Sequence, residues 1–210
     1  MTTLRERAQT TAAFTGQRVG ALQARYRADD PTAVAALAQL RRAVGTELGS
    51  DFEMMNIAFA AGEPKKQENQ IDLLGGAAPA SDAPEPEERA YFAAVTLFAM
   101  HQQSHRDASM HRSGYGFGRS MRLLYHRHER PSTRDRFTAL GTAATWGETL
   151  HHARSLIQQL RQESIPLDYA QFAQDLFDLQ TGRDAHVRLA WGRDFYRVRD
   201  EDDENETTEA

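Results

Sequence analysis

Apolar residues recur three and four positions apart along almost the whole chain, and strict two-residue alternation of strand length is hard to find. Side chains at that spacing share one face of a helix, so the pattern predicts helix packed on helix and an all-α fold. A first helix is expected over residues 4–27, with Ala12, Val19, Leu22 and Tyr26 inward and Arg18 and Arg25 on another face. Asp30 before Pro31 reads as an N-cap followed by proline at the first helical position. The helix it opens carries Val34, Leu37, Leu40 and Val44 as a core stripe, with Arg41-Arg42 beside it. Gly45 and Gly49 close that helix, and a short one holding Met54, Met55, Ile57 and Phe59 is expected next.

Further helices are expected near residues 87–105, 117–127, 131–143, 147–162, 168–180 and 183–198. The first of these carries Tyr91, Phe92, Val95, Phe98 and Ala99 on one stripe. The 168–180 segment has the clearest pattern, Tyr169, Phe172, Ala173, Leu176 and Phe177 forming one apolar face. The last places Val187, Trp191, Phe195 and Val198 inward. Between residues 62 and 88 the chain is rich in Gly, Ala, Pro, Glu and Asp and lacks periodicity, which predicts a long mobile loop. Gly114, Gly116 and Gly118 interrupt the pattern again. The expected organisation is therefore two small helical bundle-like halves, 1–108 and 109–199, with 200–210 as a disordered acidic tail.

An apolar content of 40% suffices for a real core. Without cysteine there are no disulfides or thiolate metal sites, and a cytoplasmic location is expected. Residues 1–20 hold no long apolar stretch, and no run approaches the roughly 20 apolar residues that span a bilayer.

The net charge of −5 argues at first against a nucleic-acid partner, but it averages segments of opposite sign. Residues 200–209 hold seven acids and no base, so the rest of the chain is mildly basic. Between His101 and Arg136 eight arginines face Asp107, Glu129 and Asp135, and between Arg5 and Arg42 seven face Glu6, Asp29 and Asp30. All bases but Lys65 and Lys66 are arginine, which suits planar, bidentate contacts to phosphate. A coding bias towards arginine explains the same composition equally well.

His101 and His105 lie four apart with His111 nearby, a spacing that can hold a transition metal. A hydrolytic zinc helix would place Glu after the first His, whereas this segment reads His101-Gln102-Gln103-Ser104-His105, so surface or capping histidines are expected and no metal. Gly114-Tyr115-Gly116-Phe117-Gly118 lacks the phosphate-loop arrangement and follows no strand. It reads as a flexible approach to the helix bearing Arg119, its aromatics packed in the core. No nucleophile setting or general acid and base pair stands out, so a non-catalytic protein without cofactor is expected.

Arginines at helical spacing are what remain. Arg119, Arg122 and His126 share a face, Arg130 and Arg134 are four apart with Arg136 behind, and His151, Arg154 and Arg161 form a further row. Rows of this kind can follow a phosphate backbone. The bland alternative is a set of solvated faces paired with acids such as Asp135, Glu148 and Glu163, but acids between Arg106 and Arg136 are too few to pair every arginine.

The order of features resembles the CasB small-subunit family of the type I-E CRISPR Cascade complex. The resemblance rests on Leu40-Arg41-Arg42-Ala43, on the run from Ala93 through Val95, Leu97 and Met100 to Gln103, and on Met110-His111 before Gly116-Phe117-Gly118-Arg119. Arg134-Asp135-Arg136-Phe137 with Leu140, Asp168-Tyr169-Ala170 with Asp175-Leu176, and Trp191-Gly192-Arg193-Asp194-Phe195-Tyr196 complete it. It implies a non-enzymatic all-α subunit, present in two copies beside the backbone and large subunits. Such a subunit would help hold guide RNA, target strand and displaced strand of the R-loop while base pairing reads sequence. By position, Arg41 or Arg42, Arg119, Arg134, Arg136 and Arg154 match the family's basic sites, whereas Arg122 and Arg130 rest on spacing alone. This chain departs from the pattern in having Arg134-Asp135-Arg136 where an adjacent basic pair is expected, and in its 62–88 loop and acidic tail. The competing readings are a stand-alone helix-turn-helix regulator built on residues 130–140 and the following helix, and a scaffold whose arginines meet acidic proteins.

Overall fold

The computed structural model describes residues 3–46, 48, 57–58, 84–128 and 131–197. Among them the chain forms eight helices, α1 Leu4–Arg27, α2 Pro31–Arg42, α3 Pro86–Gln102, α4 Phe117–His128, α5 Pro131–Gly141, α6 Trp146–Gln162, α7 Tyr169–Gln180 and α8 Asp184–Tyr196. The all-α expectation holds: the described residues include no strand, only an isolated parallel bridge between His111 and Leu167. The expected short helix at 54–59 lies outside the described residues except for Ile57 and Ala58, as do residues 62–83 of the expected loop and the acidic tail. The helix expected from about residue 87 opens at Pro86, within the end of the expected loop, because Pro86 suits a first helical position and the Glu88 carboxylate accepts from the Glu85 N–H at 2.9 Å.

Helix α3 organises the packing. Every residue from Ala90 to Gln102 is buried, so this helix has no solvent face where a one-sided stripe was expected. It is covered by α1, α2, α6 and α7. Ala90, Ala94 and Ala99 are each fully buried and let those neighbours approach closely. Helix α7 packs on both α1 and α3, so buried side chains from either side of residue 108 join one cluster.

Local signals set the helix ends. Thr3 and Glu6 form a reciprocal capping box on α1, Thr145 and Glu148 another on α6, and Asp30 accepts from the Thr32 N–H at 2.8 Å. Each cap contributes about 1 kcal/mol. The buried Leu156, Ile157 and Leu160 of α6 contribute roughly 1.5–3 kcal/mol apiece, so its apolar face rather than its cap decides where that helix lies. On α1 the inward stripe runs through Ala8, Thr11, Thr15, Val19, Leu22 and Tyr26, and Ala12 is only half-buried. The two threonines are tolerated inside because their hydroxyls donate to the Arg7 and Thr11 carbonyls at 2.9 and 2.7 Å.

The C-terminal helices meet in an aromatic box. Phe117 lies 5.3 Å from Phe172 and 4.8 Å from Trp191, and Phe137 lies 4.8 Å from Phe195. Gly118 allows α4 to touch α8: a Cβ there would fall 2.3 Å from the Trp191 carbonyl oxygen. The substitution Gly118→Ala should therefore cost about 3 kcal/mol through overpacking. A fall in melting temperature of several degrees checks this, and an unchanged melt would contradict the α4–α8 contact.

Beneath the box, the Trp191 indole donates to Asp175 at 2.7 Å and the Gln171 amide donates to the other oxygen at 2.9 Å. Burial nonetheless pushes the Asp175 carboxyl up to about 7. The folded chain thus holds a proton that the unfolded chain releases near pH 4, so this contribution to stability is complete below that and is lost as pH rises through 7. His101 and His111, lowered by burial, act oppositely, losing stability as pH falls below 6.5. Melting temperatures from pH 5 to 8 should separate the two: Asp175→Asn should lose the decline on the alkaline side that the wild type shows, with the histidine contribution unchanged.

Candidate nucleic-acid interface

Two basic regions emerge from this packing. The first lies where the turn that follows α2 faces α6. Arg41 and Arg42 form the last turn of α2, where the helix dipole favours cations, Arg41 half-buried and Arg42 exposed. A Cβ on Gly45, just beyond that turn, would lie 3.7 Å from Arg154 Nη1, so the exposed Arg154 of α6 reaches the end of α2. Gly45 and Arg154 border a groove of about 590 Å3 whose walls also include Arg89, Phe92, Trp146 and His151. From α5, exposed Arg136 donates to Ser155 Oγ at 3.3 Å, which places it beside the same turn of α6. Arg134 is exposed on α5. Arg130 lies outside the described residues.

The second region is a cleft of about 820 Å3 between the 107–113 loop, α4 and residues 164–166. Arg122 lines it but is only 5% exposed, and its Nη1 donates to the Arg197 carbonyl at 3.2 Å. The helical spacing that groups it with Arg119 and His126 conceals this difference, since His126 is exposed and Arg119 half-buried. Arg119 donates to the Gly114 carbonyl at 3.3 Å and lies 4.2 Å from the centroid of the Tyr115 ring. The structure therefore brings Arg136 and Arg154 to one turn of α6, with Arg41 and Arg42 in the turn of α2 that precedes Gly45, and it places Arg122 in the second cleft with Arg119 against Tyr115, which also lines it. Arg161, expected in a row with Arg154, is half-buried and donates to the Gln103 carbonyl at 3.1 Å.

Three arginines at the cleft were not singled out by spacing: Arg27, Arg112 and Arg127. Arg27 holds the loop with all three nitrogens, donating to the Arg106 and Asp107 carbonyls and to Ser109 Oγ. Arg112 lies 4.9 Å from the Tyr115 ring centroid, so Tyr115 carries a guanidinium from each flank of the glycine segment. An Arg-x-x-Tyr-x-x-x-Arg pattern was the available signal.

The histidines do other work than expected. His101 is not a surface residue: it is fully buried, Nδ1 lies 3.0 Å from the Tyr169 hydroxyl, and burial depresses its pKa to about 3. His105 donates to the Arg161 carbonyl at 3.0 Å, and His111 Nδ1 accepts from the Tyr169 N–H at 3.1 Å. Among the described residues no group of three or more His, Cys, Asp or Glu is arranged to hold a metal.

The glycine segment is not the flexible approach its composition suggests. Asp168 Oδ2 accepts from the Gly114 N–H at 3.0 Å, and the Asp168 N–H donates to the Tyr115 carbonyl at 2.7 Å. Gln23 grips the His111 backbone, accepting from its N–H at 2.7 Å and donating to its carbonyl at 3.1 Å. Gln102, buried at the end of α3, accepts from the Met110 N–H at 3.0 Å and donates to the Ala108 carbonyl at 2.9 Å. Replacing Gln102 with Leu would leave the buried Met110 N–H without an acceptor, a penalty of about 1–3 kcal/mol. Hydrogen exchange at the Met110 amide should rise by at least tenfold in that variant, and unchanged protection would show that the loop is held otherwise.

The CRISPR-associated protein Cse2 family matches residues 36–196. The crystal structure of CasB from Thermobifida fusca is similar at 33% identity, covering 89% of this chain and 98% of that one with a TM-score of 0.73. Among curated proteins none matches.

Proposed function

The chain belongs to the CRISPR-associated Cse2 (CasB) family, and on that premise we propose that it is a non-catalytic subunit of a type I-E Cascade complex that steadies the R-loop through arginine contacts to nucleic-acid backbone. It sits in two copies beside the backbone and large subunits, in the cytoplasm, and meets guide RNA, target strand and displaced strand. The observation that carries this reading is that exposed arginines of two helices meet at one turn of α6, beside the end of a third: Arg154 lies next to Gly45, just beyond the Arg41-Arg42 turn of α2, and Arg136 of α5 donates to the adjoining Ser155. Side chains from separate helices make a surface that can follow a backbone for several phosphates, which one helix face cannot. The family's division of labour agrees with the arrangement: base pairing with the guide reads sequence, and the protein is required only to favour the open state. No helix among the described residues is long and apolar enough to cross a membrane.

Each phosphate neutralised releases condensed counterions, so a few such contacts give salt-sensitive, sequence-independent stabilisation. R-loop formation is nearly balanced in free energy, and modest contacts then decide its lifetime. The triple variant Arg42→Glu, Arg136→Glu, Arg154→Glu alters side chains that are largely solvent-facing and should fold normally. In a reconstituted complex it should shorten R-loop lifetime by at least tenfold, more so as salt is lowered; a lifetime equal to wild type would overturn the proposal.

A further inference from the structure

We propose that the acidic segment 200–209 is an internal occupant of the α5 arginines Arg134 and Arg136, covering in the free chain a surface that nucleic acid takes in the complex. The contact itself is argued from where α8 ends and from charge; only its consequence for nucleic acid rests on the proposed function.

The course of α8 is the first argument. Its Arg188 donates to the Ala143 carbonyl at 3.3 Å, and its Phe195 stacks on Phe137 of α5 at 4.8 Å. Moving forward along α8 thus moves back along α5, and the two run in opposite senses. Arg197, just beyond Phe195, is therefore level with the turn of α5 that carries Arg134, a residue on the same helix face as Phe137. The Arg197 carbonyl accepts from Arg122 Nη1 at 3.2 Å, which fixes the end of α8 against α4. Asp200 follows after a contour of at most about 11 Å, so the acids begin within reach of Arg134.

Charge is the second. Residues 200–209 carry seven acids and no base, five of the acids running consecutively from Asp200 to Glu204. Arg134 and Arg136 are exposed, and Asp135 between them is the one acid of α5. Arg136 is held by a neutral partner, Ser155 Oγ at 3.3 Å, and among the described residues neither arginine is paired with an acid. Consecutive acids in an extended chain recur about every 3.3 Å, a spacing of charge close to that along one strand of a duplex. The segment is thus an anion of the same kind as the proposed ligand.

Tethering is the third. Exposed ion pairs are individually weak and are screened by salt. Joined to α8 by so short a link, however, the acids meet α5 at an effective concentration of about millimolar or above. A contact of that strength covers the arginines against a stray strand and yields to one that engages several helices at once.

The chain has no cysteine, so Asn205→Cys carries a single nitroxide spin label in the full-length protein. Paramagnetic broadening should be strongest at the amides of residues 132–136 at low salt and should fade at about 1 M salt, where the Debye length is about 3 Å. A variant with the seven acids of 200–209 replaced by their amides should bind a fluorescein-labelled thymidylate oligomer about 5- to 10-fold more tightly at low salt. In a background of Arg134→Ala and Arg136→Ala, the same replacement should raise affinity less than about twofold. Broadening centred on α4, or spread evenly over the surface, overturns the contact. An equal gain in the arginine double variant overturns the covering, by making it an effect of net charge alone. R-loop lifetime in the triple variant of Arg42, Arg136 and Arg154 reads the proposed function separately. A shortened lifetime without broadening at α5 leaves that function standing and sinks the tail contact; broadening at α5 with an unchanged lifetime does the reverse.

Discussion

A helix without a solvent face must be covered on every side, and α3 imposes that requirement on the rest of the chain. Its Ala90, Ala94 and Ala99 are too small to bury much area alone, so the helix gains from close neighbours rather than from large side chains. Helices α1 and α2 precede it and cover part of it; α6 and α7 must return from beyond residue 108 to cover the remainder. The return of α7 brings Asp168 and Tyr169 to the far end of α3, where His101 meets the Tyr169 hydroxyl. The loop leaving α3 therefore runs past the start of α7 and is hydrogen-bonded to it by His111, Gly114 and Tyr115. The rigid display of Arg112 and Arg119 is a remote consequence of burying α3.

The loop also shows why buried amides suit this position better than acids. Gln23 and Gln102 each satisfy a backbone N–H and a backbone carbonyl with one neutral side chain. A carboxylate could accept but not donate, and it would cancel the charge of the arginines a few residues away. Arg27 follows the same economy from the opposite side, fastening the loop through neutral acceptors. By contrast, Arg7 on the far side of the molecule is paired with the buried Glu87, Nη2 to Oε2 at 2.7 Å, and its charge is spent inside. Two arginines can thus differ in the field they project according to whether an acid or a carbonyl holds them.

Much of the fold was legible in the sequence because its signals are local. Asp30-Pro31 marks a helix start through bonds within three residues, and the Tyr169–Phe177 stripe follows from helical periodicity. Thr11, Thr15 and His101 were harder to place, since each is polar by type and inside by context: the threonines turn their hydroxyls to the preceding turn, and His101 finds a partner 68 positions away. The candidate site divides in the same way. Exposed Arg42, Arg134, Arg136 and Arg154 lie on helix faces that spacing identifies, but spacing also admits Arg122, which is buried, and passes over Arg112, whose neighbour on Tyr115 is set by a loop.

That division bears on how the exposed arginines around α6 would do the proposed work. Around α6, Arg136 and Arg154 come from two helices, and exposed arginines such as these retain much of the rotamer freedom that contact with a phosphate removes. The second cleft presents fewer exposed guanidinium groups on a fastened loop, and most of that entropy is lost when the chain folds. A flexible, multi-point surface suits a ligand whose path shifts as the R-loop opens, as the proposed function requires. On the proposed reading, the arginines around α6 would accommodate the growing loop by a few weak contacts that the nearly balanced exchange of base pairs makes decisive.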